Sequence, residues 1–115
     1  MEEITFVEKN NNILLHLNGD LNTCRVMNVG EILRNLIDKC PRIIAVDCGM
    51  LYGIDPSSIS QIIRCLAMAR KNNIELVFYN LKPEVQVMFD LMKLDGLFTV
   101  MSQEIFDEEY GQYYS

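Results

Sequence analysis

The chain has 115 residues, half of them hydrophobic, and a formal net charge of -6. That length supports one globular domain, 1–115, around a single core, and the acidic balance argues against nucleic acid, whose binders need a basic stripe to displace counterions from phosphates. No apolar run approaches the roughly 20 residues that span a bilayer, and the acidic Met1-Glu2-Glu3 start is unlike a signal peptide. The expectation is a soluble cytoplasmic protein without membrane insertion. Cys24, Cys40, Cys48 and Cys65 form no Cys-x-x-Cys pair and the single histidine is His16, so neither a metal nor a cofactor is expected. The cysteines read as reduced, inert small hydrophobes, with Cys48, just past a strand end, the one to watch.

The first elements are two strands. "ITFVEK", Ile4 to Lys9, and "NILLHLNG", Asn12 to Gly19, flank the Asn10-Asn11-Asn12 turn, where asparagine tolerates left-handed backbone, so they form an antiparallel pair. His16 falls on the less buried face of its strand. From Asn22 or Thr23, apolar residues Val26, Val29, Ile32, Leu33, Leu36 and Ile37 recur at helical spacing, with Asn22 as N-cap and Pro41 preventing continuation. "RIIAVD", Arg42 to Asp47, is a short branched run of the kind buried on both faces of a sheet. After the loop "CGMLYGI", a second helix carries Ile59, Ile62, Ile63 and Leu66 on one face and ends near Lys71, closed by Asn72 and Asn73.

"IELVFYN", Ile74 to Asn80, is the next strand. A third helix starts at Pro83, carries Val85, Met88, Phe89 and Met92 along one stripe, and stops at Gly96. "LFTVM", Leu97 to Met101, is a last strand, and an acidic, tyrosine-rich tail runs from Gln103 to Ser115. The folded core is expected to span about 4–102. The tail can form a short helix through Ile105 and Phe106 with a loose end expected beyond it, and Tyr110, Tyr113 and Tyr114 either cover the core or stay disordered. The order describes an α/β domain with a mixed sheet, an antiparallel N-terminal pair followed by parallel strands, flanked by helices.

Sites in such sheets collect beyond the carboxyl ends of the strands, which points to "CGMLYGIDPSS". Asp55 is placed to cap the second helix, Pro56 presets its first position, and Ser57 and Ser58 follow. Ordinary helix capping accounts for the stretch, yet the spare N–H groups and positive dipole end would also hold a phosphate on Ser57 or Ser58 without unfolding the domain. Met50, Leu51 and Tyr52 are an apolar cluster suited to a partner contact.

The runs "LHLNGDLNT", "RIIAVDCGMLYGIDPSS" and "LKPEVQVMFDLMKLDGLF", together spanning most of the chain from about Asn12 to Met101, resemble the STAS domain of anti-sigma factor antagonists. In that family an Asp-Ser-Ser-Gly or Asp-Ser/Thr-Ala-Gly motif starts the second long helix. Its third position carries the serine phosphorylated by a partner kinase that doubles as the anti-sigma factor. Position by position, Asp55 matches the aspartate, Pro56 replaces the second residue, Ser57 falls on the acceptor and Ser58 replaces the glycine; Ser58 and Ser60 are less favoured acceptors. The turn Gly19-Asp20-Leu21-Asn22 has Asn22 where the family often has aspartate. The resemblance implies an anti-sigma factor/serine kinase as partner. Binding would use Asp20 to Asn22, Met50, Leu51, Tyr52, Asp55, Pro56, Ser57, Ser58 and the exposed face of the second helix.

The Pro56 and Ser58 departures favour a second reading, a STAS adaptor or assembly subunit of a signalling or lipid-transport complex that is not phosphorylated. A receiver domain would need an acidic pair after its first strand, and only Asp47 fits its pattern. A serine hydrolase would need Gly-x-Ser-x-Gly and a histidine base, and no such pentapeptide occurs. No Gly-x-x-x-x-Gly-Lys loop supports nucleotide hydrolysis, which leaves weak nucleotide binding at the helix start open. The oligomeric state is not legible.

Overall fold

The computed structural model describes residues 4–21, 23–91 and 99–115. Strands β1 (Ile4–Lys9) and β2 (Asn12–Leu17) form an antiparallel hairpin with Lys9 opposite Asn12. Asn10 and Asn11 take φ of 52° and 66°, the left-handed pair that a two-residue hairpin requires. Strand β3 (Gly19–Leu21) leads into helix α1 (Thr23–Asp38). β4 (Ile43–Asp47) follows, then β5 (Leu51–Ile54), α2 (Pro56–Lys71) and β6 (Glu75–Tyr79). The chain closes with α3 (Pro83–Leu91), β7 (Thr99–Met101), α4 (Gln103–Tyr110) and a short 3-10 turn, Gly111–Tyr113.

The main sheet has the order β1-β2-β4-β6-β7, antiparallel at β1–β2 and parallel elsewhere. The branched run of β4 is its middle strand with its first four residues buried, because helices or aromatic side chains cover both of its faces. One face carries Ile13, Leu15, Leu17, Ile44, Val46, Leu76 and Phe78 against Val29, Leu33, Leu36 and Ile37 of α1, Ile62, Cys65, Leu66 and Ala69 of α2, and Val85 and Phe89 of α3. Each aliphatic side chain so buried contributes roughly 1.5–3 kcal/mol relative to exposure.

The second face has its own core. Ile43, Ala45, Val77 and Tyr79 meet Phe106 and Tyr110 of α4, with Leu14, Met101, Tyr113 and Tyr114 packed around them. The Tyr79 and Phe106 rings stack at 3.7 Å between centroids, the Tyr114 hydroxyl donates to the Ile13 carbonyl at 2.9 Å, and the Tyr110 hydroxyl donates to the Glu75 carboxylate. The tyrosine-rich tail therefore covers the core, and the loose end expected from its sequence is corrected: stacking and two hydroxyl hydrogen bonds tie it down.

Three details differ from the periodicity. "LYGI" is strand β5, where a loop was expected, and "GDL" is its strand partner β3, where a turn was expected. On α2 the buried stripe runs through Ser58, Ile62, Cys65, Leu66 and Ala69, and Ile63 is 37 % exposed; it lies about 100° around the helix from Ile62, on the side away from Ser58 and Cys65. α3 is described to Leu91, so the expected stop at Gly96, the strand start at Leu97 and the placement of Met92 lie outside the described residues.

Candidate partner-binding site

All the parallel strands end on one side of the sheet, and the paired residues Asp47 and Tyr79, with Tyr79 opposite Met101, mark that edge. Asp47 organises the turn that leaves it. Its Oδ1 accepts from the Gly49 N–H at 2.9 Å and from Asn80 Nδ2 at 3.5 Å, while Oδ2 lies 2.9 Å from His16 Nδ1. The Cys48 N–H donates to the Tyr79 carbonyl at 3.0 Å and the Leu51 N–H to the Cys48 carbonyl at 3.1 Å. A Cβ on Gly49 would stand 2.4 Å from Asn80 Nδ2, so any larger residue would have to push the Asn80 side chain away from Asp47. The carboxylate thus folds the chain sharply out of β4 and launches β5.

β5 then pairs in parallel with β3 as a two-stranded ribbon beside the main sheet. Gly19, buried and at φ 84°, opens β3, and its N–H donates to the Met50 carbonyl at 2.8 Å. Asp20 sits opposite Gly53, where an added Cβ would lie 3.2 Å from Asp20 Oδ1. A glycine there lets the carboxylate lie across the ribbon.

Strand alternation decides which expected contacts face outward. Met50 is 54 % exposed and Tyr52 56 % exposed, whereas Leu51 and Ile54 turn into the core. Leu51, expected among the partner contacts, is unavailable to a partner for that reason. Tyr52 carries the Lys82 ammonium 5.5 Å from its ring centroid, and β5 packs beside α3, whose Val87 and Leu91 are also exposed. Asp20, in the middle of β3, and Asp55, the residue after β5, are both exposed.

Asp55 precedes α2 in extended conformation, φ -76° and ψ 140°, but its carboxylate makes no capping hydrogen bond. The backbone caps instead, with the Ser58 N–H donating to the Asp55 carbonyl at 2.9 Å. Pro56 and Ser57 are the first two helical residues. Ser58 is fully buried, so its side chain faces the core and not the surface that the motif's glycine would offer. Asn22 and the side chains of Pro56 and Ser57 lie outside the described residues.

Cys48 is buried, and that burial, reinforced by the Asp47 charge, pushes its thiol well above the ordinary value, which removes it as a nucleophile. The sequence shows His16 only as a strand residue; its approach to Asp47 comes from the parallel β2–β4 register, which sets the two opposite each other, whereas the Asp47–Gly49 turn has a local signal, an aspartate two residues before glycine at a strand end. Among the described residues no cluster of metal-ligating side chains occurs, and no helix is long and apolar enough to cross a membrane.

The sequence matches the STAS domain family over residues 3–109. A comparison with curated protein sequences found no match. Among solved structures, a putative anti-sigma factor antagonist from Thermotoga maritima superposes with a TM-score of 0.84 at 14% identity, over 97% of this chain and 95% of that one. The Bacillus cell fate determinant SpoIIAA in its phosphorylated form gives a TM-score of 0.67 at 14% identity, over 94% and 97% of the two chains. A sulfate transporter family protein from Wolinella succinogenes gives 0.68 at 12% identity, over 83% and 80%. At such identities the structural likeness is one of fold, and it agrees with the family match. The mixed sheet flanked by helices is the fold of the matching structures, and with the family match over residues 3–109 the chain belongs to the STAS domain family.

Proposed function

We propose that the chain is a bacterial anti-sigma factor antagonist, acting in the cytoplasm by binding and not by catalysis. Its partner is an anti-sigma factor with serine kinase activity, and phosphorylation of Ser57 ends the contact. The observation that carries this reading is one juxtaposition. The exposed apolar pair Met50 and Tyr52, the carboxylates of Asp20 and Asp55, and the first turn of α2 with Ser57 gather at the carboxyl end of the sheet. Asn22 and Pro56 complete the proposed contact set. The burial of Ser58 supports Ser57 as acceptor, since a phosphate on Ser58 would have to displace core atoms.

The switch follows from electrostatics. A phosphoserine brings a charge of about -2, and here it would add to the exposed carboxylates of Asp20 and Asp55 in an interface that must lose its water. A few kcal/mol of repulsion and desolvation changes affinity by orders of magnitude. Titration against the anti-sigma-type serine kinase of the same cell tests the proposal. Unmodified protein is expected to bind, and Ser57→Asp to weaken binding by about a hundredfold while keeping its fold. Equal affinity of the two forms, or no binding by unmodified protein, contradicts it.

The second reading, a non-phosphorylated STAS adaptor or assembly subunit of a signalling or lipid-transport complex, is favoured by Pro56 and Ser58 in the motif positions. It also fits the likeness to a transporter-family protein. An unmodified Ser57 in protein taken from its native cell, under growth and stress alike, would select it.

A further inference from the structure

The outer edge of β1 is set by its hairpin. Lys9 and Asn12 close the two-residue turn, so Lys9, Val7 and Thr5 exchange N–H and C=O groups with Asn12, Leu14 and His16. Asn11, one residue out of phase, points to the other side, where its carbonyl accepts from the Arg42 N–H at 2.9 Å. The N–H and C=O groups of Ile4, Phe6 and Glu8 therefore project from the edge of the sheet. Among the described residues no strand covers them.

This edge has only part of the usual protection, charges gathered at one end. Thr5 to Lys9 are all exposed, with Phe6 at 43 % and Val7 at 55 %, and β1 has no proline and no bulge. Its charges, Glu8 and Lys9, stand at one end, and Lys39 sits 5.6 Å from the centre of the Phe6 ring and 4.0 Å from Glu8 Oε1.

We propose that this edge is a self-association surface, on which β1 of a second copy pairs antiparallel about a two-fold axis at Phe6 and joins two sheets into one. The occupant follows from symmetry. The projecting groups are spaced evenly about Phe6, so a reversed copy sets Ile4 against Glu8 and Phe6 against Phe6, with donors facing acceptors and no offset. Each face of the sheet is preserved. The two Phe6 rings meet on the helix-covered face, flanked by the two Lys39 ammonium groups, and Thr5 meets Val7 on the other. Although the chain carries a net charge of -6, the described residues of the edge hold one carboxylate, Glu8, against the two ammonium groups of Lys9 and Lys39, so Ile4 to Lys9 do not carry the acidic excess that would keep copies apart.

A contact of one strand pair is small, which places its dissociation constant at about micromolar to millimolar. The test is sedimentation of the full chain at concentrations up to about 0.5 mM, with amide exchange read along β1. Dimer is expected, with protection of the Ile4, Phe6 and Glu8 amides rising with concentration while that of Thr5, Val7 and Lys9 stays constant. Phe6→Pro removes a projecting N–H that the hairpin does not use, so the fold stays and the dimer weakens by about tenfold or more. Should that variant misfold, Phe6→Lys sets like charges face to face at the axis and carries the same expectation. A monomer throughout, a dimer indifferent to a folded Phe6 variant, or a dimer lost with Tyr52→Ala instead would overturn the proposal. Because the edge and the ribbon are separate, kinase binding by Phe6→Pro reports on the proposed function independently.

Discussion

The two places where this chain departs from a plain strand-helix alternation use opposite physics. On the second face of the sheet, the tail closes a surface: Phe106 and Tyr110 are buried, Tyr79 stacks on Phe106, and two tyrosine hydroxyls donate to Glu75 and to the Ile13 carbonyl. At the carboxyl end, the β3–β5 ribbon opens one: Met50 and Tyr52 stay in solvent while a small polar cluster around Asp47 fixes the backbone behind them. Aromatic side chains appear in both. Burial separates them: an aromatic group that is stacked and hydrogen-bonded stabilises the fold, and one that is held out by strand alternation has the exposure that the proposed partner contact requires.

Variants separate the two regions. The largest effect is expected for Phe106→Ala, which removes the centre of the aromatic stack and should cost about 3–5 kcal/mol in denaturant unfolding, with partner affinity unchanged in whatever fraction remains folded. Gly49→Ala should cost about 1–3 kcal/mol, because its Cβ must push Asn80 away and loosen the turn into β5. Unlike Phe106→Ala it should also weaken the partner, and combining it with Asn80→Ala should recover part of the stability. Tyr52→Ala reverses the pattern: stability within about 0.5 kcal/mol of the parent, and partner affinity lower by about tenfold.

The smallest effect is alkaline. Burial foremost holds the phenols of Tyr79, Tyr110 and Tyr114 above the ordinary value of 10.0, with Tyr110 helped by its bond to Glu75. The folded state keeps these phenols neutral while the unfolded chain ionises them. Their contribution is therefore complete below pH 10.0 and is lost as pH rises above it. Thermal unfolding followed through this range should show a falling Tm, with a shallower slope in Tyr110→Phe, and no matching change in ribbon-dependent binding per folded molecule.

The fold was legible because its signals are local. Two consecutive asparagines made the hairpin, the branched run Ile43 to Val46 announced a strand buried on both sides, and the heptad-like spacing of Val29, Leu33 and Leu36 gave α1 its inward stripe. The site was half legible. Its address followed from strand order, but the β3–β5 pairing did not, since three- and four-residue strands leave too few alternations to read. Asp55 shows the limit most clearly: aspartate before proline is the composition of a cap, yet the Asp55 carbonyl does that work and its carboxylate stays outside. Ser58 illustrates the same limit. Its position in a motif is visible in the sequence, while its burial depends on which side of α2 packs.

The central claim is that Ser57 is the switch. Intact mass and site mapping of the protein purified from its native cells, with and without phosphatase, tests it most directly. The account predicts a phosphatase-sensitive mass increase of one phosphate that maps to Ser57. A phosphate on another residue, or none under growth and stress alike, would contradict it.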